Sequence, residues 1–267
     1  MSSAESASLG RALCIITGAS RGFGRAVARE LSRLVTPGSG LVLAARSGED
    51  LHAVRAELAA SEAGRAGLRV ESVVADVGRT EGLEAIIRAA KDALIEQVDH
   101  VMLVNNAASL GDVSRFAVSF SDLAEVDSYL SLNVSSAWCL TARVLQAFPQ
   151  RPGLRRTVVN ITSLCAIKPV PSWALYCTGK AARDMMFQVL ALEEPDVRVL
   201  SYSPGPLDTA MQVEARSRSA DPGIRKLFSD QFVEGKLLSC EASCAKLMKL
   251  LLEDSYTSGA HVDVYDL

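Results

Sequence analysis

Short runs of aliphatic and β-branched residues alternate with longer segments rich in alanine and leucine along almost the whole chain. The runs begin at Leu13, Leu41, Arg69, Val101, Arg156, Val197 and Ala260. The segments with a helical pattern cover residues 23–35, 49–63, 80–97, 122–148, 174–194 and 239–253. Several runs are apolar on both faces, which is typical of parallel strands covered by helices on both sides. The alternation therefore predicts an α/β fold with a doubly wound parallel sheet of about seven strands flanked by helices.

The chain has 267 residues, and single α/β domains often reach about 250 residues. No low-complexity linker interrupts the pattern, so we expect one domain over residues 1–267. The one break in composition is residues 204–238, which open with Pro204, Gly205 and Pro206. A segment of this length after a strand is typical of a functional loop or lid, so we expect it to contact substrate or cofactor.

Composition excludes several classes of function. The 28 Lys and Arg residues are balanced by 31 Asp and Glu residues, which argues against a nucleic-acid-binding protein. No apolar run approaches the roughly 20 residues that span a membrane, and residues 1–10 lack the pattern of a secretory signal. The six cysteines form no CxxC pair and the three histidines are scattered, so we expect no metal site. Scattered, reduced cysteines favour a cytoplasmic protein.

A glycine-rich turn follows the first predicted strand. The sequence TGASRGFG begins at Thr17 and contains Gly18, Gly22 and Gly24. Glycine permits a tight turn and a close approach of backbone N–H groups to a pyrophosphate, and the following helix contributes partial positive charge at its N-terminus. Because a strand precedes this turn and a helix follows it, the segment predicts a nucleotide-binding site.

The end of the second predicted strand distinguishes between the two nicotinamide dinucleotides. In NAD-binding folds an acidic residue there accepts a hydrogen bond from the ribose 2′-hydroxyl. Here the strand is followed by Arg46 and Ser47, and an arginine cannot accept but matches a phosphate. Together with Arg21, this favours NADP(H), although Arg46 as a solvated strand-end residue is the alternative. Asp76 is expected beside the adenine, and an ordinary turn aspartate is its alternative.

Three side chains form a candidate catalytic set. Tyr176 and Lys180 are four residues apart on a predicted helix and therefore share a face. A phenol ordinarily titrates near pH 10, and a nearby ammonium group is expected to lower the tyrosine pKa. Ser163 follows the fifth predicted strand, where its hydroxyl could orient a carbonyl oxygen beside the tyrosine. The set predicts proton donation to a carbonyl group.

These features follow the order found in the short-chain dehydrogenase/reductase family, which the chain resembles over almost its whole length. The matching segments are the TGASRGFG turn, Asn105-Asn106-Ala107, Asn133 within LNVSS, Ser163, Tyr176 with Lys180, and Pro204-Gly205. One departure is Ala108, where the family often has glycine, and this is a small change. The resemblance implies a single-domain Rossmann fold and an oxidoreductase that uses NADP(H).

The resemblance also implies roles for individual residues. Tyr176 would donate the proton, Lys180 would bind the nicotinamide ribose, and Asn133 would support a water-linked proton relay. Ser163 would hold the substrate carbonyl. The implied cofactor-binding residues are Gly18, Ser20, Arg21, Gly22, Phe23, Gly24, Arg46, Ser47, Asp76, Val77, Asn105, Asn106, Ala107, Tyr176, Lys180, Pro204, Gly205, Leu207, Asp208, Thr209, Ala210, Met211 and Gln212. The implied substrate-binding residues are Ser163, Leu164, Tyr176, Gly205 and Asp263.

Several segments, above all SGAHVDVYD near the C-terminus, resemble members of the family that reduce the side-chain carbonyls of a reduced pterin. This resemblance implies that residues 259–267 anchor the substrate, with Asp263 accepting two N–H bonds from the pterin edge. Gly205 would let the pterin approach the backbone, while Asp266 is read as a solvated terminal residue. Two alternatives stay open: a general NADPH-dependent carbonyl or dicarbonyl reductase, and a nucleotide-responsive binding protein without turnover. Apolar residues within 122–148 and 174–194, together with the resemblance, suggest a homodimer.

Overall fold

The computed structural model of the chain describes residues 8–94 and 97–267. Seven strands form one sheet in the order β3-β2-β1-β4-β5-β6-β7, and every neighbouring pair is parallel. The strands are β1 (Ala12–Thr17), β2 (Gly40–Ala45), β3 (Arg69–Val74), β4 (His100–Asn105), β5 (Arg155–Ile161), β6 (Val197–Ser203) and β7 (Ala260–Asp263). The predicted fold class is confirmed, and all seven predicted strands are present.

Ten α-helices are found among the described residues. They are α1 (Gly22–Leu34), α2 (Gly48–Ala59), α3 (Glu62–Arg65), α4 (Thr80–Asp92), α5 (Leu123–Leu130), α6 (Ser136–Ala147), α7 (Ala174–Glu193), α8 (Ala210–Arg218), α9 (Pro222–Val233) and α10 (Cys240–Glu253). The last residues of the predicted helix 80–97 differ from α4, and Ile95 and Glu96 lie outside the described residues, as does most of the N-terminal segment 1–10.

Strand β1 shows why the sheet needs helices on both faces. Its residues alternate between two hydrophobic clusters, because successive side chains on a strand point to opposite faces. Cys14 and Ile16 pack with residues of α1, α2 and α10, whereas Leu13 and Ile15 pack with residues of α4 and α6. All six residues of β1 are buried, and the strand is apolar from Ala12 to Ile16.

Three further predicted segments differ from the structure. The predicted helix 49–63 is divided into α2 and α3. The predicted helix 122–148 is interrupted by a π-helical turn at Ser131–Ser135, between α5 and α6. Residues 204–238 are not an irregular loop, since they contain the helices α8 and α9. Asp221 caps α9 by accepting a hydrogen bond from the backbone N–H of Ile224 at 2.9 Å. Within the described part of the chain, no helix is both long and apolar enough to cross a membrane.

Candidate active site

A cavity of about 890 Å³ lies at the carboxyl ends of the strands. The strand order reverses between β1 and β4, and ligands of open parallel sheets bind outside the carboxyl ends at such a switch point. The predicted site residues that line it are Gly18, Ser20, Arg21, Gly22, Phe23, Gly24, Arg46, Ser47, Asp76, Val77, Asn106, Ala107, Ser163, Leu164, Tyr176, Lys180, Pro204, Gly205, Leu207, Asp208, Thr209, Ala210, Met211, Gln212 and Asp263. Residues 150 or more positions apart in the chain thus share one cavity.

The glycine-rich turn is held tightly against the loop that follows β4. Gly18 and Gly22 adopt φ values of +66° and +55°, which favour glycine. A Cβ atom on Gly24 would lie 2.2 Å from the carbonyl oxygen of Gly18, so α1 starts directly against the turn. The Asn106 amide donates hydrogen bonds to the carbonyl oxygens of Thr17 at 2.9 Å and Gly18 at 3.1 Å. These contacts hold the turn against the loop that follows β4.

The N-terminus of α1 is open to an anion. Arg21 is the N-cap residue, and its side chain makes no capping hydrogen bond. The first backbone N–H groups of a helix lack intrahelical partners and favour negative charge. Because Gly22, Phe23 and Gly24 line the cavity, this helix end fits the pyrophosphate of a dinucleotide.

Two arginines lie at the same end of the cavity. Arg21 and Arg46 are both exposed, and neither forms an ion pair with any other described residue. Ser47 donates a hydrogen bond to the carboxylate of Asp50 at 2.8 Å. Asp76 accepts one from the backbone N–H of Gly78 at 2.9 Å. The arginines are therefore the free cations at this end of the site.

Tyr176, Lys180 and Ser163 come together at the other end. Tyr176 is 7% exposed and Lys180 5% exposed, and the Lys180 ammonium nitrogen lies 5.5 Å from the centroid of the tyrosine ring. Lys180 donates a hydrogen bond to the carbonyl oxygen of Ile161, the last residue of β5, at 2.6 Å. Ser163 lies two residues beyond β5, and its hydroxyl is close enough to Tyr176 to act against the rise of the phenol pKa. One turn of α7 and the end of β5 thus assemble the predicted set.

Burial shifts the pKa values of Tyr176 and Lys180. It raises the pKa of the Tyr176 phenol above its ordinary value, and the hydrogen bond from Ser163 and the charge of Arg183 oppose that rise. Burial, together with the charge of Arg183, lowers the pKa of Lys180 to about 7. The net change in the tyrosine pKa is a rise because burial outweighs the groups that favour the phenolate, and the lowering contribution of Lys180 stays a prediction.

Arg183 is a functional candidate that the sequence reasoning missed. It is 1% exposed, and its guanidinium donates to the carbonyl oxygens of Asn105 at 2.5 Å and Ala107 at 3.3 Å. It also donates to the side-chain oxygen of Asn160 at 2.8 Å. Arg183 therefore fixes the loop that contacts the glycine-rich turn. Its position three residues after Lys180 on the same predicted helix was the available signal.

Two predicted site residues do not line the cavity. Asn105 is buried at the end of β4 and donates a hydrogen bond to Thr141 at 2.9 Å. Asn133 lies in the π-helical turn, where its side chain accepts from the backbone N–H of Ser109 at 2.7 Å and donates to the carbonyl oxygen of Tyr129 at 3.0 Å. The Asn133 side chain thus holds neighbouring backbone in place.

The last strand places Asp263 at the cavity. Its carboxylate accepts hydrogen bonds from the Ser203 hydroxyl at 2.6 Å and from the backbone N–H of Tyr265 at 3.0 Å. Asp266 is not simply solvated, since it accepts a hydrogen bond from the backbone N–H of Asp263 at 3.3 Å. Gly205 has φ +78°, and a Cβ there would lie 2.8 Å from a methyl group of Val264. Packing against the terminal segment therefore constrains Gly205.

The aromatic rings of Trp173 and Phe228 form one wall of the cavity beside Tyr176. The Trp173 ring stacks on Phe228 of α9 at a centroid distance of 5.1 Å and meets Tyr176 edge-on at 5.6 Å. The Trp173 indole N–H donates to the hydroxyl of Ser219 at 2.9 Å. Both Trp173 and Phe228 line the cavity, so residues 204–238 supply one wall of the site.

Comparison with known proteins identifies the family. The short chain dehydrogenase family matches residues 12–220, which include the glycine-rich turn, Ser163, Tyr176 and Lys180. The chain therefore belongs to the short-chain dehydrogenase family. Among curated relatives, the sepiapterin reductase of Meriones unguiculatus is 52% identical over 98% of this chain and 99% of its own. The sepiapterin reductase of Bos taurus is also 52% identical, over 97% of this chain and 96% of its own.

Solved structures agree on the fold. The KRED1-Pglu enzyme superimposes with a TM-score of 0.78 at 28% identity, covering 94% of this chain and 99% of its own. The L-sorbose reductase of Gluconobacter frateurii, solved with NADPH and L-sorbose, has a TM-score of 0.75 at 25% identity and covers 96% of this chain and 95% of its own. The fold similarity thus extends over almost the whole chain.

Proposed function

We propose that this protein is an NADPH-dependent reductase of the side-chain carbonyls of a reduced pterin, of the kind used in the last steps of tetrahydrobiopterin synthesis. The observation that carries the proposal is that one cavity contains both the Ser163, Tyr176 and Lys180 set and the carboxylate of Asp263. The first can reduce a carbonyl group, and the second can hold a ring rich in N–H donors. About 50% identity to sepiapterin reductases over the full chain supports this substrate class.

The residues around the glycine-rich turn fit NADP(H). The open N-terminus of α1 would receive the pyrophosphate, and Arg21 and Arg46 would hold the 2′-phosphate. Lys180, with Asn106 and Ala107, would lie along the nicotinamide ribose, and residues 207–212 would cover the nicotinamide. When bound, the cofactor supplies a hydride to the carbonyl carbon.

The proton comes from the protein. Ser163 would donate a hydrogen bond to the substrate carbonyl oxygen and stabilise the negative charge that develops there. Tyr176 would transfer its phenolic proton to the same oxygen. Its raised pKa keeps the phenol protonated at neutral pH, so the donor form dominates before reaction. The Lys180 nitrogen, 5.5 Å from the ring centroid, would stabilise the phenolate that remains.

A general carbonyl reductase is the second candidate function. The aromatic wall formed by Trp173 and Phe228 would also accept a small dicarbonyl compound. The two functions differ in their need for Asp263, because a small diketone has no N–H donors. The buried Tyr176–Lys180 pair argues against a nucleotide-binding protein without turnover, since nucleotide binding alone does not require the tyrosine.

The exposed apolar residues and the free cysteines support proposals for the oligomeric state and the cellular location of the protein. Trp138 of α6 is 59% exposed and Leu192 of α7 is 84% exposed, and Met185 and Val189 lie exposed between them in sequence. Such exposed apolar residues on neighbouring helices are typical of an interface, and we include a homodimer through α6 and α7 in the proposal. Six free cysteines favour the cytoplasm.

The direct test is turnover. The purified protein should oxidise NADPH, followed by its absorbance, when sepiapterin is added, and should do so far more slowly with NADH. The reduced pterin product should be identified by chromatography. No sepiapterin-dependent oxidation of NADPH would contradict the proposed function.

The preference for NADPH should depend on Arg46. We expect Arg46→Ala to raise the KM for NADPH about 10- to 30-fold, because a charge-assisted hydrogen bond to phosphate is lost. The KM for NADH should change less than about twofold. Arg65→Ala is a matched control, since Arg65 is exposed on α3 and does not line the cavity. An equal rise in both KM values would argue against a 2′-phosphate contact.

A further inference from the structure

We propose that Ser203 is a positioning residue that orients the Asp263 carboxylate and thereby determines the preference for substrates with two adjacent N–H donors. The inference rests on the proposed function, in which Asp263 holds the pterin ring. It adds a residue that touches Asp263 and acts through it. Ser203 would thus affect the selection of the substrate without taking part in proton transfer.

The sheet register places the two residues side by side. Ser203 ends β6 and is the parallel partner of Asp263, the last residue of β7. Partners on neighbouring strands project their side chains to the same face. The Ser203 hydroxyl is 1% exposed and donates to Oδ2 of Asp263 at 2.6 Å. Both residues line the cavity.

The other carboxylate oxygen is held by the terminal segment. Oδ1 of Asp263 accepts from the backbone N–H of Tyr265 at 3.0 Å. That segment is itself fixed, because Lys246 donates to the carbonyl oxygens of Val264 at 2.8 Å and Leu267 at 3.0 Å. The backbone N–H of Asp266 also donates to this carboxylate, in a capping box of the terminal turn. Donors on both oxygens fix the rotation of the carboxylate, which still lines the cavity and can accept N–H donors from a ligand.

The charge of Asp263 is left for the ligand. Its hydrogen-bond donors, the Ser203 hydroxyl and the backbone N–H groups of the terminal turn, are all neutral. Within residues 8–94 and 97–267, no lysine, arginine or histidine forms an ion pair with Asp263. A neutral donor orients the carboxylate without neutralising it, whereas a cation would compete with the ligand. The arrangement fits the amino-pyrimidine edge of a pterin, which presents neighbouring N–H groups.

The test is Ser203→Ala, which removes one hydroxyl and adds no volume. We expect the KM for sepiapterin to rise about tenfold, because the freed Asp263 carboxylate must be ordered when the pterin binds, with kcat changed less than about threefold. The kinetic constants for a small diketone should stay within about twofold of the wild type. Ser201→Ala is the matched control, because Ser201 is buried on the same strand and its hydroxyl accepts from Asn160 at 3.0 Å.

The outcomes separate this inference from the proposed function. An unchanged KM for sepiapterin in Ser203→Ala, alongside a raised KM in Asp263→Ala, would overturn the role of Ser203 and leave the proposed function in place. Equal losses for sepiapterin and the diketone would also overturn it, because they would indicate a general disturbance of the site. If Asp263→Ala itself has no effect on sepiapterin, the pterin site as proposed is wrong.

Discussion

Replacing Tyr176 with phenylalanine is expected to lower kcat for carbonyl reduction by about 1,000-fold, within the range found for removal of a general acid. The change removes the only proton that the phenol can donate and leaves the ring in place. The ring packs edge-on against Trp173, and that contact needs no hydroxyl. Folding and the shape of the cavity should therefore be preserved.

A measurement of NADPH binding should show whether Tyr176→Phe loses only proton donation or also its folded structure. We expect its dissociation constant, measured by the change in NADPH fluorescence, to stay within about threefold of the wild type, since one hydroxyl contributes little to so large a ligand. Tyr129→Phe is a matched control, because Tyr129 is also buried and its hydroxyl donates to the carbonyl oxygen of Ser109 at 3.2 Å, outside the cavity. Near-normal turnover in Tyr176→Phe would refute the proton-donor role.

Replacing Asp263 with alanine is expected to raise the KM for sepiapterin by at least about 100-fold. Two hydrogen bonds to a charged acceptor are lost at once, and each contributes about 1.5–3 kcal/mol. Turnover of a small diketone should change less than about threefold, because that substrate makes no contact with the carboxylate. Steady-state kinetics followed through NADPH absorbance, with sepiapterin and with the diketone, measures both effects in Asp263→Ala and the wild type.

The neighbouring Asp266 supplies the control for this change. Asp266→Ala removes a carboxylate three residues away that is exposed and accepts one long hydrogen bond, at 3.3 Å, from the backbone N–H of Asp263. Its effect on the KM for sepiapterin should be less than about threefold. Equal losses with sepiapterin and the diketone in Asp263→Ala would favour the general carbonyl reductase.

The fold could be predicted in detail because local pattern and burial coincide in this sheet. The residues of β1, β2 and β4 are all buried, so their central residues form apolar runs that are easily recognised, with polar side chains only at strand ends. Apolar periodicity does not reveal the helices within residues 204–238. The helices α8 and α9 have mixed charges and contain few buried residues, and a polar helix at a surface lacks the apolar periodicity by which helices are recognised.

The predicted site residues whose chemistry is marked by local spacing lie together at the cavity. Gly18, Gly22 and Gly24 stand between a strand and a helix, and Tyr176 and Lys180 share one helix face. Trp173 and Arg183 were missed, because nothing in their immediate sequence indicates that one packs on α9 and the other reaches the loop after β4. Their roles depend on contacts across long stretches of chain.

Periodicity, glycine spacing and the order of the motifs were thus enough to establish a parallel α/β sheet, a dinucleotide turn and a tyrosine–lysine pair, since each depends on neighbours within about one helical turn. The tertiary structure decided the rest. Burial sets the pKa of Lys180 near 7 and keeps Tyr176 protonated. The pairing of β6 with β7 brings Ser203 to Asp263 across 60 positions of chain. Desolvation and strand register are properties of the packed molecule, and no local stretch of sequence carries them.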